Sequence, residues 1–402
     1  MNGIVLNEQQ EKIKNEAIHW FRNSSAQVFE ISGKAGTGKT VLILEILKAL
    51  GLNYNQYLAM AYSGQASIVM RTRGFHTARS IHSTLYEVVD DEEVNSVSKT
   101  FGIPGRRKTF RLRKYIDPNI RLFFIDEGYM VPYNMVKDIL SFGVKIIVCG
   151  DDHQLPPIGG QPGFLTGYGV HRLTQLMRQS KDSAIIYIAE RVSNNEVIHC
   201  GQYGNEVLVI NEDDFIPEMI GFADCICCGT NRTRDYLNSY IRDLAGFKGN
   251  FPWIGEHIIC RKNNWEIEQD GIALANGLRG TVLSQPDVNK FDGKTFKVSF
   301  RPDLVNTLFA DIDVNYKYFT SPLDIRNEMK SNFDTDKYRY EKGEYFEFAY
   351  ALTTHLCQGS EYNRGIYFEE FLRQQIQCQL NYTGVTRFKG QLIYVKKKKK
   401  YY

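Results

Sequence analysis

Gly33-Lys34-Ala35-Gly36-Thr37-Gly38-Lys39-Thr40 fits the spacing G-x-x-x-x-G-K-S/T. Residues of these types at this spacing hold a polyphosphate. The glycines let backbone N–H groups curl around phosphate oxygens, and a helix starting at Lys39 points its positive end at the same anion. Lys39 would reach the outer phosphates and Thr40 would place its hydroxyl on a magnesium ion. A second acidic element is Asp126-Glu127, which closes the apolar run Leu122–Ile125. Beside a phosphate loop, Asp126 would hold the metal through its water shell. Glu127 would orient or deprotonate the attacking water. The expected cofactors are therefore ATP and Mg²⁺, with Gly33, Gly36, Gly38, Lys39 and Thr40 on the nucleotide and Thr40 and Asp126 on the metal.

This chemistry needs strands that end at the loops and helices that begin there. Gln27–Ser32 reads as a strand and Lys39–Leu50 as a helix. Arg121–Asp126 and Lys145–Cys149 are continuous apolar runs of four to six residues, as in parallel strands covered on both faces. The first 180 residues therefore read as α/β with a phosphate-loop core. Residues 86–120 break the rhythm. An acidic patch, Asp90–Glu93, precedes a basic one from Arg106 to Lys114, with the turn signal Pro104-Gly105 between them. This reads as an inserted hairpin. A second alternating segment starts near Ala184. From about Phe251 to Glu344 the texture is β, with hairpin signals at Asn276-Gly277 and Asp292-Gly293. That segment reads as a small inserted barrel, after which α/β pattern returns at Tyr345–Tyr350.

Composition bounds the rest. Hydrophobic residues make up 43% and charged residues 24% of 402, normal for a globular chain of two to four domains. Apolar runs fall far short of the ~18–20 residues of a membrane span, and the N-terminus has no secretory pattern. The expected location is the cytoplasm, with no membrane partner. The net charge is +3, and Lys396–Lys400 supplies five positive charges of it. Bulk charge thus announces no nucleic-acid partner, and a basic track has to be local. Eight cysteines are scattered, clustered only at Cys225-Ile226-Cys227-Cys228, and read as buried thiols rather than metal ligands.

The motifs, in order, resemble those of superfamily 1 helicases of the RecD-like and Dda-type branch. Leu6–Gln10 is similar to the adenine-reading motif, with Gln10 as the base contact. Ala61–Ala66 resembles motif Ia, with Tyr62 and Ser63 departing from the usual Pro-Thr. Ala78–Ser83 resembles the segment containing Thr-Ile-His, with Ser80 in place of Thr. Gly150–Pro157 matches motif III, where Gln154 would sense the γ-phosphate. Leu173–Gln179 resembles motif IV, with Arg178 as an arginine finger. Thr353–Glu361 resembles motif V, with Leu356 and Cys357 replacing Lys-Ser. Tyr382–Arg387 resembles motif VI, with Arg387 as the second finger.

The resemblance implies two RecA-like motor domains. The first spans 1–180 and carries the hairpin at about 86–120. The second spans 181–250 plus 345–402, with an SH3-like β-barrel at 251–344. It implies Gln358 and Gly359 at the nucleotide, and Ser63, Gly64, His82, Asn276, Thr354 and His355 on nucleic acid. The activity implied is ATP-driven 5′-to-3′ movement on single-stranded DNA with duplex unwinding, in replication, repair or recombination. The expected partners are single-stranded DNA, single/double-strand junctions and replication or recombination proteins. The expected motor is monomeric, and its compact length suggests a phage or minimal bacterial source. The segment Gly105–Lys114 interleaves aromatic and cationic residues, and the 97–114 hairpin that contains it is a candidate strand-separating pin with Phe101 or Phe110 at the fork; a charged surface loop is the plain alternative. Competing readings are a phosphate-loop enzyme of another class, a non-catalytic binding subunit, and an RNA-directed or non-unwinding translocase.

Overall fold

The computed structural model describes residues 5–90, 108–167, 169–177, 182–320, 322, 343–371 and 374–398. Its first half is built on a six-stranded sheet in the order β3-β2-β6-β7-β1-β8. The strands are β1 (Val28–Gly33), β2 (Tyr57–Ala61), β3 (Arg79–Ser80), β6 (Leu122–Asp126), β7 (Lys145–Gly150) and β8 (His171–Leu173). Every pairing is parallel. The apolar runs bury both faces. Phe124 and Ile147 enter the core under the helices Glu8–Asn23 and Lys39–Leu50. Phe123, Ile125, Ile146 and Val148 enter the core under the helix Tyr133–Ser141. Burial on each face contributes about 1.5–3 kcal/mol per large side chain.

Local signals set the helix ends. Asn7 and Gln10 form a reciprocal capping box at the start of Glu8–Asn23. Gly51, at φ 67, ends Lys39–Leu50 by donating its N–H to Leu47 O and Lys48 O.

Strands β4 (Tyr86–Asp90) and β5 (Lys108–Leu112) pair antiparallel, from Tyr86↔Leu112 to Asp90↔Lys108. The expected turn at Pro104-Gly105 lies outside the described residues, as do most of the acidic patch, Arg106 and Arg107.

The second half repeats the α/β plan in the order β19-β11-β20-β21-β10-β9. Its strands are β9 (Gly201–Tyr203), β10 (Val207–Asn211), β11 (Cys225–Cys228), β19 (Ala351–Thr353), β20 (Tyr362–Phe368) and β21 (Phe388–Lys396). All pair parallel except β9 with β10. Cys225 and Cys227 face one core and Ile226 and Cys228 the other, so the cysteine cluster is strand interior.

Between β11 and β19 the chain forms an antiparallel sheet, β17-β16-β15-β12-β18. It comprises β12 (His257–Cys260), β15 (Arg279–Val282), β16 (Thr295–Pro302), β17 (Phe309–Asn315) and β18 (Phe346–Phe348), with a separate ribbon of β13 (Asn264–Gln269) and β14 (Ile272–Leu274). Buried ion pairs tie this region to the second α/β sheet and its helices. Arg234 meets Glu347 at 2.6 Å and Arg242 meets Glu256 at 2.7 Å. Arg279 donates to Asp303, Ala349 O and Asp224 O.

Two hairpin signals resolve differently from expectation. Asn276-Gly277 separates β14 from β15, but β14 pairs with β13 and β15 with β12. Gly277 takes φ 88, so the pair turns the chain from the ribbon into the sheet. Asp292-Gly293 forms a side-chain turn, Asp292 Oδ1 accepting from Lys294 N and Thr295 N. The β15–β16 connection is therefore longer than a two-residue hairpin.

Candidate functional site

The parallel order of the first sheet brings the C-terminal ends of β1, β6 and β7 together, and each end carries one of the sequence elements. After β1 the loop turns through Gly36 and Gly38, both left-handed at φ 81 and 78. A Cβ on Gly33 would lie 2.6 Å from Thr37 Oγ1 and 2.9 Å from Leu173 Cβ, so this position also requires glycine. Lys39 bends back over its own loop, donating to Gly33 O at 2.5 Å and Lys34 O at 3.1 Å.

Asp126 ends β6 and Glu127 follows it, left-handed at φ 52, an uncommon conformation for a non-glycine residue. Asp126 Oδ1 accepts from Glu127 N. Burial raises both carboxyls above the usual range, and the Asp126 charge raises Glu127 further, against the pull of Lys39 and of Arg73 or Arg387. Two neighbouring, half-buried carboxylates on the cleft wall are the chemistry of a cation site.

The loop after β7 carries Asp151, Asp152, His153 and Gln154. Asp151 is buried and accepts from His153 N and Tyr382 OH. His153 Nδ1 lies 3.5 Å from Asp151 and 3.3 Å from Asp152. The two adjacent carboxylates push the imidazole up to about 9. Gln154 is buried, and its Oε1 has no hydrogen-bond partner among the described residues.

The second half closes the site. A cleft of about 450 Å³ is lined from the first half by Gly36, Gly38, Lys39, Thr40, Asp126, Glu127 and Gln154, and from the second by Gly359, Glu361, Arg387 and Lys389. Arg387 is held by Thr383 O at 3.0 Å and Ser360 O at 3.3 Å. Gln358 Nε2 crosses to Leu155 O at 2.9 Å. Gly359 packs so closely on the first half that a Cβ would sit 2.5 Å from Ala66 Cβ.

A second groove, of about 320 Å³, lies across both halves beside the cleft. It is lined by Tyr62, Ser63, Pro156, Pro157, Asn231, Arg261, Asn276, His355 and Gln358, among others. Ser63 caps the helix Gly64–Thr72, and Gly64 packs against Ala275.

Several expected residues sit elsewhere. Gln10 is buried behind the phosphate loop; its Nε2 donates to Thr37 O and its Oε1 accepts from Asn7 N, and it does not line the cleft. Thr354 is fully buried, with its hydroxyl on Cys228 O, so it supports the groove from inside the core. His82 does not itself line the groove: it stacks on Tyr86 at 5.6 Å and approaches Trp265 and the groove residue Tyr62. Phe110 is half exposed and contacts Trp265 at 4.3 Å. Arg178 and Phe101 lie outside the described residues, as do Lys399 and Lys400.

The cleft also contains groups that no motif singled out. Arg73 pairs with Glu361, which also pairs with Lys389, and Arg73 Nη1 lies 3.4 Å from Thr40 Oγ1. Glu361 closes the quoted stretch Thr353–Glu361. Arg73 follows an unremarkable helix, and only three-dimensional proximity reveals it.

Residues 5–214, just over half of the chain, match the family model described as AAA domain. The chain belongs to the AAA domain family. The matched AAA domain segment contains the phosphate loop, Asp126-Glu127 and the loop Gly150–Pro157. A relative, the ATP-dependent DNA helicase PIF1 of Trypanosoma brucei brucei, is 27% identical over 196 residues, covering 45% of this chain. The chain spans 18% of the length of that relative.

Solved structures extend the likeness beyond the AAA domain match. Pif1 helicase from Candida albicans aligns over 98% of this chain and 94% of its own, at 16% identity and a TM-score of 0.53. Pif1 helicase from Bacteroides in complex with ADP-AlF3 and single-stranded DNA aligns over 98% and 92%, at 17% identity and a TM-score of 0.54. These likenesses establish the shared fold, a mixed α/β architecture of the RecA-like motor type, and agree with the superfamily 1 resemblance of the motifs. No helix among the described residues is long and apolar enough to cross a membrane.

Proposed function

We propose that the chain is an ATP-dependent DNA helicase that moves 5′ to 3′ along single-stranded DNA and unwinds duplex. The observation that carries this reading is one loop shared by two sites. Gln154 faces the phosphate-loop cleft, while Pro156 and Pro157, two residues on, line the groove across both halves. A nucleotide kinase has no use for that continuity; a motor that couples hydrolysis to a bound strand requires it.

The residues present fit ATP and Mg²⁺. The unpartnered Gln154 Oε1, the half-buried Asp126–Glu127 pair and the left-handed glycines make an anion cradle beside a cation corner. Lys39 and the loop N–H groups hold the phosphates, and Thr40 and Asp126 hold the divalent ion, which when bound neutralises charge on the transferring phosphoryl group. Glu127 accepts the proton of the attacking water. Arg387, and by the motif resemblance Arg178, supply positive charge worth ~10³–10⁵ in rate in enzymes that use such a finger. Gln358 and Gly359 bring the second half to the nucleotide, and Gln10 reads the base once its amide exchanges its present partners. Because the cleft has walls from both halves, nucleotide binding favours closure and hydrolysis releases it.

Ser63, Gly64, Asn276 and His355 hold the strand in the groove, supported by Thr354 and flanked by His82. The motor domains are assigned to 1–180 and to 181–250 with 345–402. The segment 251–344 is assigned to an inserted SH3-like barrel whose antiparallel sheet is completed by Phe346–Phe348, and β4–β5 to the base of an inserted pin, with Phe110 or Phe101 expected at the fork. The names of the relatives support DNA as substrate: one is a DNA helicase, and one solved neighbour holds single-stranded DNA. A monomer acting at single/double-strand junctions, in a soluble compartment, alongside replication or recombination proteins, is the assembly this reading implies.

Steady-state hydrolysis tests it. ATP turnover is expected to rise at least tenfold with an oligothymidylate, and Lys39→Ala is expected to lower the stimulated kcat by about 10²–10³, the scale of losing a charged transition-state donor. Turnover indifferent to the oligonucleotide would refute the motor reading.

A further inference from the structure

Leu155 sits midway along the shared loop, and the second half grips both of its peptide groups. Gln358 Nε2 donates to Leu155 O at 2.9 Å, and Thr383 Oγ1 accepts from Leu155 N at 2.9 Å. The residue next to Thr383 is Tyr382, 1% exposed. Its hydroxyl donates to Asp151 Oδ2 at 2.6 Å and accepts from the Ala35 N–H of the phosphate loop at 3.0 Å. One helix, Gln374–Val385, therefore touches the shared loop at two points and the phosphate loop at a third. The two prolines that follow Leu155 fix their own φ angles. A displacement at the groove end of the loop is therefore passed to Leu155 rather than absorbed beyond it.

We propose that Tyr382 is a positioning residue that links occupancy of the strand groove to the geometry of the phosphate loop. The inference rests on the helicase reading above. A strand in the groove bears on Pro156, Pro157 and Gln358. Leu155 carries that shift to Thr383, and the Tyr382 hydroxyl carries it to Ala35 and to the Asp151 end of the same loop. The link is a set of four hydrogen bonds with no slack residue between them. Tyr382 touches neither site's ligand surface, so its effect is on coupling and not on affinity for either ligand alone. Replacing it by Phe keeps the buried ring and removes both bonds. The Ala35 N–H then loses its acceptor, and Asp151 keeps its bond from His153 N.

Coupling between two ligands is reciprocal and measurable without turnover. The full chain is titrated with a fluorescent oligothymidylate in the absence and presence of saturating ADP with magnesium. The wild type is expected to show a Kd ratio of at least fivefold. Tyr382→Phe is expected to bring that ratio within twofold of unity, with the nucleotide-free oligonucleotide Kd changed less than threefold. Thr383→Val, which removes the acceptor for Leu155 N, is expected to do the same, and the double variant to add nothing further. A merely structural role would lower thermal stability and leave the ratio intact, and that result overturns the proposal. So does a wild-type ratio near unity. The helicase reading fails separately, only if the oligonucleotide also leaves ATP turnover unchanged; stimulated turnover with a ratio preserved in Tyr382→Phe removes the Tyr382 link alone.

Discussion

His153 lies between two aspartates, and its electrostatics can be read directly from stability. The carboxylates of Asp151 and Asp152, 3.5 and 3.3 Å from its Nδ1, raise its imidazole from the ordinary 6.5 to about 9. For Asp152, burial works upward, but the bonds from His153, Ser32 and Arg172 outweigh it and hold that carboxyl below the usual range. A group whose folded value is raised stabilises fully below its unfolded value, and that contribution is lost as pH climbs from about 6.5 to about 9. His153 is 41% exposed at its side chain, so screening limits the effect to about 1 kcal/mol. The wild type should therefore melt above His153→Gln at pH 6, and the gap should close by pH 9.5. A gap constant across that range would exclude the charged imidazole. At this scale the sequence was most legible where spacing encodes chemistry, as at Lys39 and Asp126. Arg73 was not legible, because its pairing with Glu361 joins residues far apart in sequence and no local pattern marks it.

Among the elements, the helix Asn231–Leu244 does the most to join the antiparallel sheet to the second α/β sheet. Arg234 on this helix is 1% exposed at its side chain and meets the almost fully buried Glu347 of β18 at 2.6 Å. Arg234→Ala leaves Glu347 without its shortest ion-pair partner, although Arg261 remains at 3.3 Å. Removing one member of a buried pair costs about 3–5 kcal/mol, so the urea midpoint should fall steeply. Arg234→Met with Glu347→Leu should recover most of that loss, because the desolvation of both charges disappears together. A single-site loss below about 1 kcal/mol would show that the pair does not anchor the sheet. The strands around the phosphate loop were legible as uninterrupted apolar runs, since both sheet faces are covered. The ribbon β13–β14 was not. Asn276-Gly277 has hairpin chemistry, but its left-handed glycine serves a connection between strands that pair elsewhere.

On the scale of the whole molecule, two α/β halves share a nucleotide cleft and a groove, and Phe110 of β5 touches Trp265 of β13. If β4–β5 is the base of the strand-separating pin, Phe110→Ala should cut unwinding at least fivefold while strand-stimulated hydrolysis stays within twofold. Equal losses in both would return the hairpin to the status of a charged surface loop. The start of the second α/β segment was readable near Ala184, but its expected return at Tyr345–Tyr350 comes one strand late: Phe346–Phe348 pairs antiparallel with β12, and the α/β sheet resumes at Ala351. The grip of Gln358, Thr383 and Tyr382 on the loop Asp151–Leu155 was not readable, because those contacts span more than 200 residues of sequence. The central claim is directional movement driven by ATP. Two duplexes with the same base-paired region are compared, one with a 5′ single-stranded tail and one with a 3′ tail, in ATP and Mg²⁺. The account predicts that only the 5′-tailed duplex opens and that Lys39→Ala opens neither. Opening of the 3′-tailed duplex alone would contradict the direction, and opening of neither would contradict the helicase itself.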